Sequence, residues 1–261
     1  MQTMAAAVGA SLLPSTYFSF KVFDSGTDAP KEKQVLALRY QIYCREMGFL
    51  PADKYPDHLE CDEYDAFSTH IAACNQHGAV VGSLRAVKPP LGVPFPFQKY
   101  CHRLFADKVA PPRHKCSEIS RLVVSKSYRH RIDDTILGIS SHLVDDPAPL
   151  PVQTQYENVD RSLAERRRER RKHEPDILLG LIRHLYRYSK RHGVAYWYMA
   201  VDRSLARLLT NIFHFVLDPI GEQTDHNGTV TPYLLSLSRL EKDLVAADPE
   251  MFAWLQISGE H

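Results

Sequence analysis

Apolar positions along the chain change their spacing several times, and each change marks an element. Residues 16–23, Thr-Tyr-Phe-Ser-Phe-Lys-Val-Phe, read as a first strand. Pro30 then opens a helix predicted to run to about Met47, with Leu36, Tyr40, Tyr43 and Met47 as its apolar stripe. A loop holding Pro51 and Pro56 leads to Glu60-Cys-Asp-Glu-Tyr-Asp65. Two alternating segments, about 69–74 and 79–87, are joined across Gln76-His77-Gly78 and predict a hairpin. Residues 88–115 are Pro-rich and read as a loop with a short helix near Phe97–Phe105, followed by a strand at Ser117–Val124.

The second half begins differently. Residues 133–175 contain Asp-Asp-Pro-Ala-Pro-Leu-Pro and then the basic run Arg161–Lys172, with little apolar periodicity. This stretch reads as a partly mobile insertion rather than a second domain. Asp176–His192 is a strong amphipathic helix carrying Ile177, Leu178, Leu181, Leu185 and Tyr188, and it stops at Gly193. Val194–Val201 is a buried-type strand, Ser204–His214 a helix, Thr229–Ser238 a last strand, and helices follow around 239–256. Strands alternating with helices, plus a hairpin, predict one α/β domain over 1–261 with a mixed sheet.

Composition narrows the class without choosing a function. With 261 residues, 44% hydrophobic and 24% charged, the chain can bury a substantial core and is not disordered throughout. Its longest apolar runs, Met4–Leu13 and Val194–Val201, are far shorter than a bilayer span, and no Lys or Arg precedes the first. The expectation is a cytoplasmic protein with no transmembrane segment. Cysteines 44, 61, 74, 101 and 116 are odd in number and form no CxxC pair, so neither a metal site nor a disulfide framework is expected.

Charge is unevenly spread. Arg161–Arg207 holds 13 basic and 5 acidic residues, whereas the rest holds 19 basic and 26 acidic. The net charge of +1 therefore conceals an acidic body with one basic region, which implies an acidic partner. Arg183, Arg187 and Arg191 recur every fourth residue on one helix face. That face fits either plain solvation or docking.

Two charged groups fall among apolar neighbours. Arg39 borders the apolar face of the first helix, and Arg85 lies among Val81, Ser83 and Val87. A guanidinium keeps its charge, so burial demands anions, and Asp62 and Asp65 are the candidates. Such pairs either fasten the helix to the sheet or line a polar pocket, and both roles are compatible. In Ser117–Val124, strict alternation puts Glu118 beside Ser120 and opposite Arg121. A β-bulge would bring Glu118 and Arg121 together and free backbone N–H groups to polarise a carbonyl, with Glu118 as base. The plainer alternative is a Glu–Arg pair at a sheet edge.

Four stretches together resemble acyltransferases of the GNAT-type fold that includes the autoinducer (acyl-homoserine-lactone) synthases and the N-acyl amino acid synthases. They are Leu38–Glu46 with Gly48-Phe49, Glu60–Asp65 with His70, Val81–Arg85, and Glu118–Ser125 with Tyr128-Arg129. The nearest branch is the bacterial PEP-CTERM/exosortase-system-associated acyltransferases, whose C-terminal pattern Ile220-Gly221 and Pro232-Tyr233 resemble. The likeness runs from about residue 15 to 240.

The resemblance implies a GNAT-like acyl-CoA N-acyltransferase fold, a mixed, mostly antiparallel central sheet flanked by helices. It implies Glu118 and Arg121 as catalytic residues. Arg39, Phe49, Asp62, Asp65, Arg85 and Ser120 become the substrate-binding set. The tryptophan usual in the autoinducer synthases' acceptor loop is absent, which favours an amino acid or similar amine over S-adenosylmethionine.

The segment Arg129–Asp134 also lacks the glycines that cradle the CoA pyrophosphate in acetyl-CoA-dependent relatives. The expected donor is therefore acyl-phosphopantetheine on acyl carrier protein, with acyl-CoA the alternative and no permanently bound cofactor. An acidic carrier protein would meet Arg183, Arg187, Arg191 and the Arg166–Lys172 run. The competing functions are an acyl-homoserine-lactone synthase, a catalytically silent binding protein, and a nucleic-acid module using Arg161–Lys172. The last has no recognition motif around its arginines.

Overall fold

The computed structural model describes residues 17–128, 135–136, 139–140, 174–225 and 228–256. Most of the predicted insertion, with Arg161–Lys172, lies outside them. Strand β1 (Phe18–Asp24) leads to helix α1 (Ala29–Tyr40), which Asp28 caps by accepting the Lys31 N–H. The helix continues as a π turn over Gln41–Glu46. Strands β2 (Ser68–Asn75) and β3 (Val80–Val87) form the expected hairpin, with Gly78 at φ +75° in its turn. Then come β4 (Cys116–Val124), α2 (Glu174–Arg191), β5 (Tyr196–Val201) and α3 (Arg203–Phe213). The described chain closes with β6 (Thr229–Ser236), α4 (Leu237–Ala247) and α5 (Pro249–Gln256).

Strands β1 to β6 form one sheet in the order β1-β2-β3-β4-β5-β6, extended by two-residue strands at Asp218–Pro219 and Thr224–Asp225 that pair with β6, while Thr135–Ile136 and Ile139–Ser140 pair separately. All of these pairings are antiparallel except β4 with β5, so the mixed, mostly antiparallel sheet is as expected. Helix α2 covers one face with the predicted Ile177, Leu178, Leu181, Leu185 and Tyr188, all buried. It sits close because Gly82 presents no side chain: a Cβ there would meet Ile177 Cγ2 at 2.6 Å. On the same interface Trp197 Nε1 donates to Ser189 Oγ at 2.9 Å, which satisfies two sealed polar groups.

Two local expectations are corrected. The stripe Leu36–Tyr40–Tyr43–Met47 is only in part the packed face of α1: Tyr40 is buried and Leu36 and Tyr43 are half-buried, but Met47 is 45% exposed, and Val35, Arg39 and Ile42 are sealed beside it. The π turn rotates the later residues relative to ideal helical spacing. Near Phe97–Phe105 only Pro96–Lys99 is helical, as a 3₁₀ turn. Beyond it the chain pairs with a distant segment: Phe105 N–H donates to Ile220, Glu222 N–H donates to Arg103, and Leu104 bridges Gly221. Tertiary pairing overrides the local helical pattern there.

Candidate active site

The site lies where the sheet opens. Strands β4 and β5 pair only through Cys116–Glu118 and Tyr196–Tyr198. Beyond these residues they separate around a cavity of about 770 Å³. Opposite the gap, β4 carries a bulge, the alternative to strict alternation that its sequence left open. Ser120 pairs with Arg85 and Val123 with Ser83, so Arg121 and Leu122 together face the single Leu84. Arg121 takes φ +53°, a left-handed conformation that a non-glycine residue holds only when its surroundings fix it.

Those surroundings are ionic. Arg39 from α1, Arg85 from β3 and Arg121 from the bulge meet Glu60, Asp62 and Asp65 from one loop. Arg39 grips Asp65 with two bonds, 2.7 and 3.0 Å, and its Nε bonds Glu60. Arg85 holds Asp62 at 2.6 and 3.0 Å, reaches Asp65 at 2.9 Å, and donates from Nε to Ser120 Oγ at 3.2 Å. Arg121 Nη2 donates to Glu60 at 3.0 Å and to Asp62 at 2.9 Å. Burial alone would raise the carboxyl pKa values, but the guanidinium groups outweigh it and hold Glu60, Asp62 and Asp65 below their ordinary range.

Thus both roles anticipated for Arg39 and Arg85 coexist. Arg39 is sealed and fastens α1 to the loop, whereas Arg85 and Asp62 also line the cavity. Glu60 was not singled out in the sequence. Its place at the start of the acidic run was the available signal, but nothing in that run distinguishes the fully buried member. Its backbone N–H donates to the Leu36 carbonyl of α1, which seats it under Arg39.

Glu118 stands apart from this network. It is sealed and lines the cavity, and both carboxylate oxygens accept the Phe97 N–H, at 2.9 and 3.1 Å. Burial pushes its pKa up to about 8, against the opposing pull of Phe97 N–H, Arg85 and Arg121. Such a carboxyl can exchange a proton near neutral pH.

Phe49, 40% exposed, lies on the cavity wall. The Tyr43 carbonyl accepts the N–H groups of Phe49 and Leu50 at 2.9 and 3.2 Å, so the π turn holds this loop. Away from the charges the wall becomes apolar, with Leu84, Ile119, Ile182, Met199, Leu205 and Leu209. Ile182 comes from α2 and the last two from α3, which is why sequence spacing does not reveal this end.

The three helix-face arginines are not among the cavity-lining residues. Arg183 is half-buried over the Trp254 ring of α5 at 4.7 Å, Arg187 is half-buried, and Arg191 is exposed. Of the face that fits solvation or docking, α5 covers the Arg183 end, and Arg191 stays exposed. Among the described residues no His/Cys/Asp/Glu grouping is arranged to hold a metal, and no helix is long and apolar enough to cross a membrane.

Residues 38–137 match the acetyltransferase (GNAT) domain. No curated protein matches the sequence. Among solved structures, the chain is similar to TofI in a ternary complex with an inhibitor and MTA. The two are 15% identical with a TM-score of 0.57, over 92% of this chain and 97% of that one. It is also similar to the CoA-dependent acyl-homoserine lactone synthase BjaI with SAM and isopentyl-CoA, at 16% identity and TM-score 0.57, over 87% and 90%. The AHL synthase LasI follows at 15% and 0.53, over 85% and 91%. The domain match and the splayed sheet support an acyltransferase of GNAT type. In fold, it is close to the acyl-homoserine-lactone synthases.

Proposed function

We propose that the protein transfers a fatty acyl group from the thioester of acyl carrier protein to the amine of an amino acid or similar small acceptor. The observation that carries this is a sealed Glu118, its carboxyl pKa raised by burial, in a cavity lined by both a charged cluster and apolar side chains. The apolar end suits an acyl chain and the charged end an amine. Glu118 takes a proton from the acceptor's ammonium, the amine attacks the thioester carbonyl, and backbone N–H groups at the opened β4 edge stabilise the oxyanion. Collapse of the tetrahedral intermediate breaks the carbon–sulfur bond and expels the pantetheine thiolate, which takes the second nitrogen proton and leaves as thiol as the amide forms, and Glu118 then returns its proton to solvent.

An acidic carrier protein has a suitable approach. Strands β4 and β5 are parallel, so Lys126 beyond one and Arg203 and Arg207 beyond the other lie towards the open end, and all three are exposed. Free CoA thioester is the alternative donor. The deciding assay offers long-chain acyl carrier protein and the matching acyl-CoA separately with pooled amino acids, and reads N-acyl product by mass spectrometry. Faster turnover from the carrier protein, weakening with salt, supports the reading; equal or better use of CoA overturns the choice of donor.

A further inference from the structure

The inner nitrogens of the charged cluster satisfy the carboxylates, but its cavity side holds donors still available to a ligand. Arg39 and Arg85 are sealed, whereas the Arg121 side chain keeps 26% of its surface exposed. Arg121 bonds through Nε and Nη2, and among the described residues its Nη1 makes no hydrogen bond. Its guanidinium carbon lies 5.4 Å from the centre of the Tyr43 ring. Tyr43 is half-buried, lines the same cavity, and its hydroxyl likewise makes no hydrogen bond among the described residues. Burial raises the Tyr43 pKa, so the group remains an O–H donor at neutral pH.

The π turn places this tyrosine at the site, and its own carbonyl anchors the Phe49–Leu50 loop. Three guanidinium groups against three carboxylates leave the cluster neutral, so its net field draws an anion weakly. Recognition of an anionic group then depends on directed donors. Tyr43 and Arg121 supply two, and Glu118 in the same cavity supplies a carboxyl for an ammonium.

We propose that the Tyr43 hydroxyl and the outer nitrogen of Arg121 hold the carboxylate of an α-amino acid acceptor whose ammonium faces Glu118. Tyr43 thereby sets the preference for amino acids over simple amines. This rests on the acyltransferase reading above. Without the hydroxyl, the bound carboxylate loses a donor inside a partly desolvated wall, while an amine lacking a carboxylate loses nothing.

The test uses acceptor pairs that differ only in the carboxylate, phenylalanine with phenethylamine and leucine with isoamylamine, on wild type and Tyr43→Phe. The phenylalanine ring preserves packing over Arg121, and matching thermal unfolding curves check the fold. Wild type should favour each amino acid by at least about tenfold in kcat/KM. Tyr43→Phe should lose about tenfold on amino acids, mainly through KM, and stay within about twofold on amines. Equal loss on both members, or no loss, overturns the assignment while leaving the acyltransferase reading intact. Failure of wild type to acylate any amine from either thioester overturns both.

Discussion

Glu118 accepts the backbone N–H of Phe97 through both carboxylate oxygens, at 2.9 and 3.1 Å, and no guanidinium of the neighbouring cluster bonds it. The cluster and the carboxyl thus do different work. The cluster fixes the geometry of α1, the acidic loop and the bulge. Glu118, left without an ion pair among the described residues, retains a pKa in the working range.

A pH profile follows from that separation. The base must be ionised in the free enzyme, so kcat/KM should rise with pH through an apparent pKa near 8. Glu118→Gln should lower kcat/KM by at least about a hundredfold and remove that limb. A normally folded variant with full activity would take Glu118 out of the mechanism.

Arg39 contributes stability rather than chemistry. Its removal takes from Glu60 one of its two guanidinium partners and from Asp65 its two-bond grip, in a sealed site. Arg39→Met should cost about 3–5 kcal/mol in urea unfolding. Arg39→Lys should recover only part, because one ammonium cannot reproduce the two-bond grip on Asp65 together with the bond to Glu60.

His70 adds an acid sensitivity to the fold. It is sealed, without a hydrogen bond at either ring nitrogen among the described residues, and burial pushes its pKa down to about 4. In the unfolded chain the ring takes up a proton near its ordinary 6.5, so proton uptake between these values favours unfolding. The His70 contribution to stability should fall by about 3 kcal/mol as pH drops from 6.5 to 4, opposed down to about pH 4.5 by Glu118, which holds its proton more tightly in the folded chain, with the carboxylate cluster adding its own loss only at the acid end. His70→Gln should abolish that loss, so the unfolding free energy of wild type relative to the variant should fall by about 3 kcal/mol between pH 6.5 and 4.

The apolar end of the cavity sets which acyl chains fit. Ile182 and Leu209 reach it from two helices. Leu209→Trp should shift N-acyl products towards shorter chains by mass spectrometry, with acceptor KM unchanged. An unaltered chain-length distribution would place the acyl group elsewhere.

What the sequence revealed follows from physical constraint. Arg39 and Arg85 were legible because permanent charge among apolar neighbours requires anions, and the Glu60–Asp65 run offered them. The hairpin and α2 were legible because turn chemistry and 3.6-residue spacing are local signals. Glu60 escaped because its burial is decided by α1, twenty residues away. Tyr43 looked like one more apolar helix position until the π turn rotated it to the cavity wall. The supposed helix after Phe97 yielded to pairing with Ile220–Glu222.

Amide formation is the event that separates acyl transfer to an amine from thioester hydrolysis or plain binding. The full chain is mixed with long-chain acyl carrier protein and amino acids labelled with nitrogen-15, and the products are weighed by mass spectrometry. A labelled N-acyl amino acid should form in step with free carrier thiol, and Glu118→Gln should form it at least about a hundredfold more slowly. Thiol release without a labelled amide, or no discharge from either the carrier protein or CoA, would contradict acyl transfer to an amine.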